Sequence, residues 1–224
     1  SEWTALLGVR GDFVRMNAGD VAGYNMSTTT TGSGAYYADA TEFNTRGRRR
    51  IDGNFDLTAL GRYEPDASRS FEFGYARKTR SPNLYERYLW IKRSAMSVQM
   101  NGWFGDGNGY TGDPNLRPEV ANTFSATAGW RAAAKDGWEL KITPYYTRVQ
   151  DYIDVDRCPV IADSSNGCTA ARLAATSGFV TLKFANHAAR LYGVDASWRA
   201  PLGGNAGLGR FALLGVFGYV RGEN

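Results

Sequence analysis

The sequence predicts an all-β chain, an antiparallel transmembrane β-barrel segment of about seven long strands. Three observations carry that reading. Apolar and polar residues alternate over stretches well beyond the ~5–6 residues of an ordinary strand. The segments between these stretches are alternately long and short, as in a barrel with long outer loops and tight periplasmic turns. With the short turns set on one side, the apolar-phase residue nearest each turn is aromatic: Trp3, Tyr63, Phe71, Trp130, Trp138, Trp198 and Phe211. Amphipathic rings collect at a membrane–water boundary, yet aromatics are only 13% of the chain.

The elements follow in order. From Glu2 to Met16, Trp3, Ala5, Leu7 and Val9 alternate with polar or small neighbours, and Leu6 breaks the polar face. Asn17 to Gly47, rich in Thr, Gly, Ser and Tyr, reads as a loop. Arg48 to Tyr63 alternates again, Ile51, Phe55, Leu57 and Ala59 against Asp52, Asn54, Asp56 and Thr58. Glu64 to Ser68 has the chemistry of a tight turn. Two strands, Arg69–Thr79 and Val120–Arg131, then flank about forty aperiodic residues, a loop too long for a compact domain unless it has a task.

After a short turn at Ala132–Asp136, Trp138 to Thr147 alternates, and past Arg148 the phase flips to Val149, Ile153 and Val155. That flip predicts a bulge or the strand's exit from the membrane. Pro144 predicts an edge or a bulge. A cysteine-bearing loop spans Asp156–Ser177, and Phe179–Ala200 keeps one parity throughout, predicting one long strand with a polar middle. A turn at Pro201–Gly209 precedes a last strand, Arg210–Arg221, in which Leu214 and Val216 fall on the polar face.

Composition bounds the function. There is no apolar run of about eighteen residues, hence no membrane-spanning helix. A mean hydropathy of -0.40 is compatible with a barrel, whose strands are apolar only on alternate residues. Net charge is +4. The basic run Arg46 to Arg50 reads as a solvated strand end or as a contact to lipopolysaccharide and other outer-membrane lipid, in preference to nucleic acid. Cys158 and Cys168 predict a disulfide pinning one loop, and so an oxidising compartment. With His187 alone they make a poor zinc site. His187 has only Ser177 and Asp195 as nearby catalytic candidates, so no catalytic residues and no enzyme activity are expected. Asp106, Asn108 and Asp113 leave loose calcium binding open, although Tyr110 and Arg117 break the calcium-loop pattern.

One stretch is more specific. RSPNLYERY, Arg80 to Tyr88, followed by GDPNLRPE, Gly112 to Glu119, resembles the late barrel strands of TonB-dependent outer-membrane receptors. Asp113 stands where that family has Asn, and the likeness continues through Pro144–Val155 and Leu191–Asp195. The resemblance implies that residues 1–224 are part of a 22-stranded plugged barrel, about a third of it, with the plug and the TonB-contacting segment outside this chain. It implies energised import of a metal chelate (siderophore) or a metal ion such as copper, no cofactor, and TonB as partner. Passive porin-like channel, surface adhesin and soluble all-β binding module remain as alternatives.

Candidate ligand residues in the long loop are Arg80, Tyr85, Arg87, Trp90, Trp103 and Tyr110, since aromatic faces with Arg suit a bulky anionic chelate. Asn83 to Tyr88 reads equally as a corner locking the loop to the wall, the preferred reading for Leu84, Glu86 and Tyr88. Met96 and Met100 are candidate metal ligands, thioethers being soft donors for Cu(I), with loop packing as the alternative.

Overall fold

A computed structural model describes residues 2–22, 34–91, 105, 108–134, 137–157, 181–205, 207 and 209–224. Seven long strands follow the predicted alternation: β1 (Glu2–Met16), β2 (Arg50–Asp66), β3 (Arg69–Arg80), β5 (Glu119–Arg131), β6 (Glu139–Arg157), β7 (Thr181–Asn205) and β8 (Gly209–Glu223). The loops add α1 (Gly34–Thr45), α2 (Leu84–Tyr88) and a three-residue strand, β4 (Gly109–Thr111). All eight strands form one sheet; the long ones pair antiparallel with their sequence neighbours, while β4 pairs parallel to β7 at Tyr110↔Leu182.

Burial is inverted relative to a soluble domain. Along β1 and β2 the apolar phase is bare, Trp3 at 68% and Phe13 at 87% exposure, whereas Asp52, Asn54 and Asp56 on the opposite phase of β2 are each 8% exposed or less. A soluble module would bury the first set and wet the second. The register keeps each phase on one face from strand to strand: Tyr63↔Phe71, Phe71↔Ala128, Ala128↔Ile142, Ile142↔Ala196 and Ala196↔Phe217. The outward face meets lipid and the polar face lines the lumen.

The aromatic belt near the short turns crosses this register obliquely. Trp3 and Tyr63 are paired and stacked, centroids 4.6 Å apart, in the row of Phe71. Across β5, β6 and β7 the belt drops one side-chain step, to the row Trp130–Leu140–Trp198. Strands tilted ~35–45° to a barrel axis require such a drop if the belt is to stay level.

Three local expectations meet the structure differently. The phase flip past Arg148 is a bulge, a register shift between Val149 and Tyr152 with Asp151 at φ 55. Pro144 marks neither an edge nor a bulge. It sits inside β6 opposite Val194, and the ladder to β5 omits its step between Tyr145 and Ile142 without changing register, which accommodates the missing N–H. The turn expected at Pro201–Gly209 is shorter, because β7 runs on to Asn205 through a register shift at Gly203, φ +88. Cys158 and Cys168, expected to form a disulfide, lie outside the described residues.

Candidate functional site: the locked mouth loop

The long loop between β3 and β5 leaves the sheet at Arg80 and turns at once into α2. Asn83 caps the helix: its side-chain oxygen accepts from the Glu86 N–H at 2.8 Å, and the Glu86 carboxylate accepts from the Asn83 N–H at 2.7 Å. This reciprocal capping box satisfies two donors that a five-residue helix would otherwise leave open. The same carboxylate takes the Arg80 guanidinium at 3.0 Å, and Arg80 bonds Glu119 of β5 at 2.6 Å. Glu119 in turn accepts the Ile153 N–H of β6 at 2.6 Å, so one chain of charge-assisted bonds ties α2 to three strands.

Arg87 is the keystone. It is 1% exposed, and its Nη2 donates to Asp52 Oδ1 at 2.8 Å and to the Leu116 carbonyl at 3.0 Å, while Nη1 contacts the Met16 sulfur at 3.4 Å. Because Asp52 is on the polar phase of β2, α2 lies against the lumen side of the wall. The adjacent Tyr88 hydroxyl donates to the Arg48 carbonyl at 2.7 Å, and burial raises its phenol above the ordinary value.

The returning limb of the loop is laid directly on α2. Gly112 N donates to the Leu89 carbonyl at 2.8 Å and Asp113 N to the Glu86 carbonyl at 2.9 Å. A Cβ on Gly112 would lie 2.7 Å from the Arg87 carbonyl carbon and 2.8 Å from the Leu89 nitrogen, so only glycine permits this approach. Beyond it, Tyr110, Leu116, Ile153 and Phe184 form a buried apolar cluster with Leu89, Val155 and Leu182 against it. Phe184 has the same parity as the outward residues Tyr192 and Trp198. The apolar phase of β7 thus continues past the bulge but is covered there by protein.

The predicted residues divide accordingly. Arg80, Arg87 and Tyr110 are brought together as wall and cluster residues, each engaged inside the protein. Tyr85, 44% exposed, and half-buried Trp90 keep surface on the loop. Trp103, Met96, Met100 and Asp106 lie outside the described residues. Glu86 and Tyr88 fit the structural-corner reading, whereas Leu84 is 59% exposed. Asp113 is held by Lys183 at 3.0 Å and by the Asn115 N–H. His187 pairs with Asp156 at 3.1 Å, and Asp195, eight residues further along β7, lines a different cavity with Lys141 and Thr143. No cluster of three or more metal-binding His, Cys, Asp or Glu side chains occurs among the described residues.

Sequence reasoning missed the work of the basic run. Arg46 pairs with Glu42, Arg48 with Asp20 and the Phe43 ring, and Arg50 donates to the Pro114 carbonyl and the Asn115 side chain. These cations join α1, the start of β2 and the returning loop limb. Arg46 and Arg50 also border, with Lys183, a polar cavity of ≈ 340 Å³ at the loop side. Their clustering was visible in the sequence; their partners, up to 65 positions away, were not.

An inverted, tilted antiparallel wall with a loop locked into its mouth defines an outer-membrane barrel. The chain belongs to the TonB-dependent receptor family: residues 1–224 match the family described as TonB dependent receptor-like, beta-barrel. Solved structures share the fold. The siderophore receptor PirA from Pseudomonas aeruginosa superposes with a TM-score of 0.52 at 16% identity, covering 78% of this chain and 30% of that one. The copper transporter OprC gives a TM-score of 0.56 at 15% identity, covering 99% of this chain and 26% of that one. The chain therefore spans less than a third of the length of these neighbours. Comparison with curated proteins finds no match.

Proposed function

We propose that this chain is the cargo-facing portion of an energised outer-membrane importer for a metal chelate or metal ion. The observation that carries the proposal is the mouth loop, fixed at one end by α2 on Asp52 and at the other by β4 on β7. Tyr85 is exposed on α2, Trp90 is half-buried just beyond it, and the sequence that follows, 92–104, holds Met96, Met100 and Trp103. Rigid ends with aromatic faces between them favour capture of a bulky ligand over free diffusion through an open pore. A plug supplied by sequence outside this chain would fill the lumen and reach TonB. Family membership supports that partnership, and the siderophore receptor PirA and the copper transporter OprC suggest the cargo classes to test first.

The test is uptake of a labelled ferric chelate, and separately of copper, by cells producing the whole receptor. Uptake is expected to vanish when the inner membrane is uncoupled or TonB is removed. Tyr85→Ala with Trp90→Ala should weaken cargo binding about tenfold, the scale of ~1.4 kcal/mol. Met96→Ala with Met100→Ala should affect copper alone. Uptake indifferent to uncoupling would make the protein a passive channel.

A further inference from the structure

We propose that the outward face beyond the apolar zone, on the long-loop side, holds the phosphate of an anionic lipid headgroup in the outer leaflet, through Arg148 and Arg190 with Arg77 and Arg221 beside them. The register places these residues together. Tyr75, Phe124, Tyr146 and Tyr192 form one continuous cross-strand row over β3, β5, β6 and β7. Two residues further toward the long loops runs a second row, Arg77–Asn122–Arg148–Arg190–Glu223. Arg221 lies opposite Tyr192 on β8. Both rows share the outward parity of Phe73 and Phe124, which are 60% and 57% exposed.

This strip carries unbalanced charge. Arg148 and Arg190 are directly opposed on strands ~4.8 Å apart, and like charges so placed repel. Glu223 is shared between Arg190 and Arg221, to the latter at 3.1 Å. Among the described residues, no hydrogen bond or ion pair occupies the side chains of Arg77 and Arg148. Four guanidinium groups thus face one carboxylate at the level where an aromatic row ends the apolar zone. Guanidinium forks match phosphate oxygens, and an anion between Arg148 and Arg190 converts their repulsion into two attractions. The occupant is a lipid because the apolar surface directly below, Phe73, Phe124 and Tyr146, takes acyl chains while the forks take the headgroup. A phosphorylated glycolipid suits the spacing of several cations better than a single phosphodiester.

The inference rests on the barrel wall and is independent of cargo. The whole receptor, extracted from outer membranes in mild detergent, is compared with its Arg148→Gln/Arg190→Gln variant by native mass spectrometry of co-purified phosphorylated lipid. The variant should retain about tenfold less. Arg148→Lys/Arg190→Lys, which preserves charge, should retain most of it, and Lys141→Gln on the lumen face should change nothing. Millimolar inorganic phosphate should not displace the lipid. Equal retention in the glutamine variant, or release by free phosphate alone, would overturn the proposal. Since neither TonB nor cargo is present, this outcome is separable from failure of the import assay.

Discussion

Replacing Arg87 by Ala tests whether the mouth loop is truly locked from beneath. The substitution leaves the Asp52 carboxylate buried, with Oδ1 stripped of its partner and Oδ2 already without one. It also removes the donor to the Leu116 carbonyl. Breaking a buried pair from one side costs about 3–5 kcal/mol, most of it the uncompensated charge left behind. That cost falls on the loop, because Arg87 is the buried tie of α2 to β2, beside the Arg80–Glu86 pair and the Tyr88 hydroxyl, whereas the strand ladders do not depend on it.

The assay is native-state hydrogen exchange at the Gly112 and Asp113 amides, which are bonded to Leu89 and Glu86. At ~1.4 kcal/mol per decade, 3 kcal/mol raises their opening equilibrium about a hundredfold. Exchange in the β2–β3 ladder should stay unchanged. Replacing both partners, Arg87→Met with Asp52→Leu, should recover most of the loss, since two apolar groups leave no orphaned charge. If the single variant accelerates exchange less than about fivefold, or the double variant opens as freely as the single, the pair is not what holds the loop.

Gly112→Ala should loosen α2 by driving a methyl into the Arg87–Leu89 backbone, seen as faster proteolysis of the loop with the wall intact. Tyr88→Phe removes the bond to the Arg48 carbonyl and should cost about 1 kcal/mol at neutral pH. Because the folded Tyr88 phenol titrates above its ordinary value of 10.0, that contribution is fully present below about 10 and is lost as pH rises through the folded value. The exchange rates of wild type and Tyr88→Phe should therefore converge only in strong alkali, and convergence at neutral pH would refute the assignment.

The wall was legible because its physics is local. Alternation at period two, read from single stretches such as Arg48–Tyr63, already states which side meets lipid. The parity of Phe179–Ala200 predicted one strand across a polar middle, and β7 is one strand. The mouth was less legible because its physics is long-range. Three residues of β4 are too few to show a period, and a parallel pairing to β7 leaves no hairpin signal. The helix α1 fell in a stretch read as loop, since Gly34–Thr45 carries little apolar periodicity even though Ala40 and Phe43 are buried. Arg87 was read as a ligand residue because an arginine among aromatics fits that role equally well. Its partner, Asp52, is 35 positions away and stands in the sequence only as one polar step in the alternation of β2.

The way the loop is fastened has a consequence for how such a receptor diversifies. Its two ends are welded to the wall by backbone bonds and buried charge, so the welds and the span between them answer to different constraints. Selection on cargo and selection on folding then act on separate stretches of the same loop. The sequence of the span is then free to drift while its welds stay put.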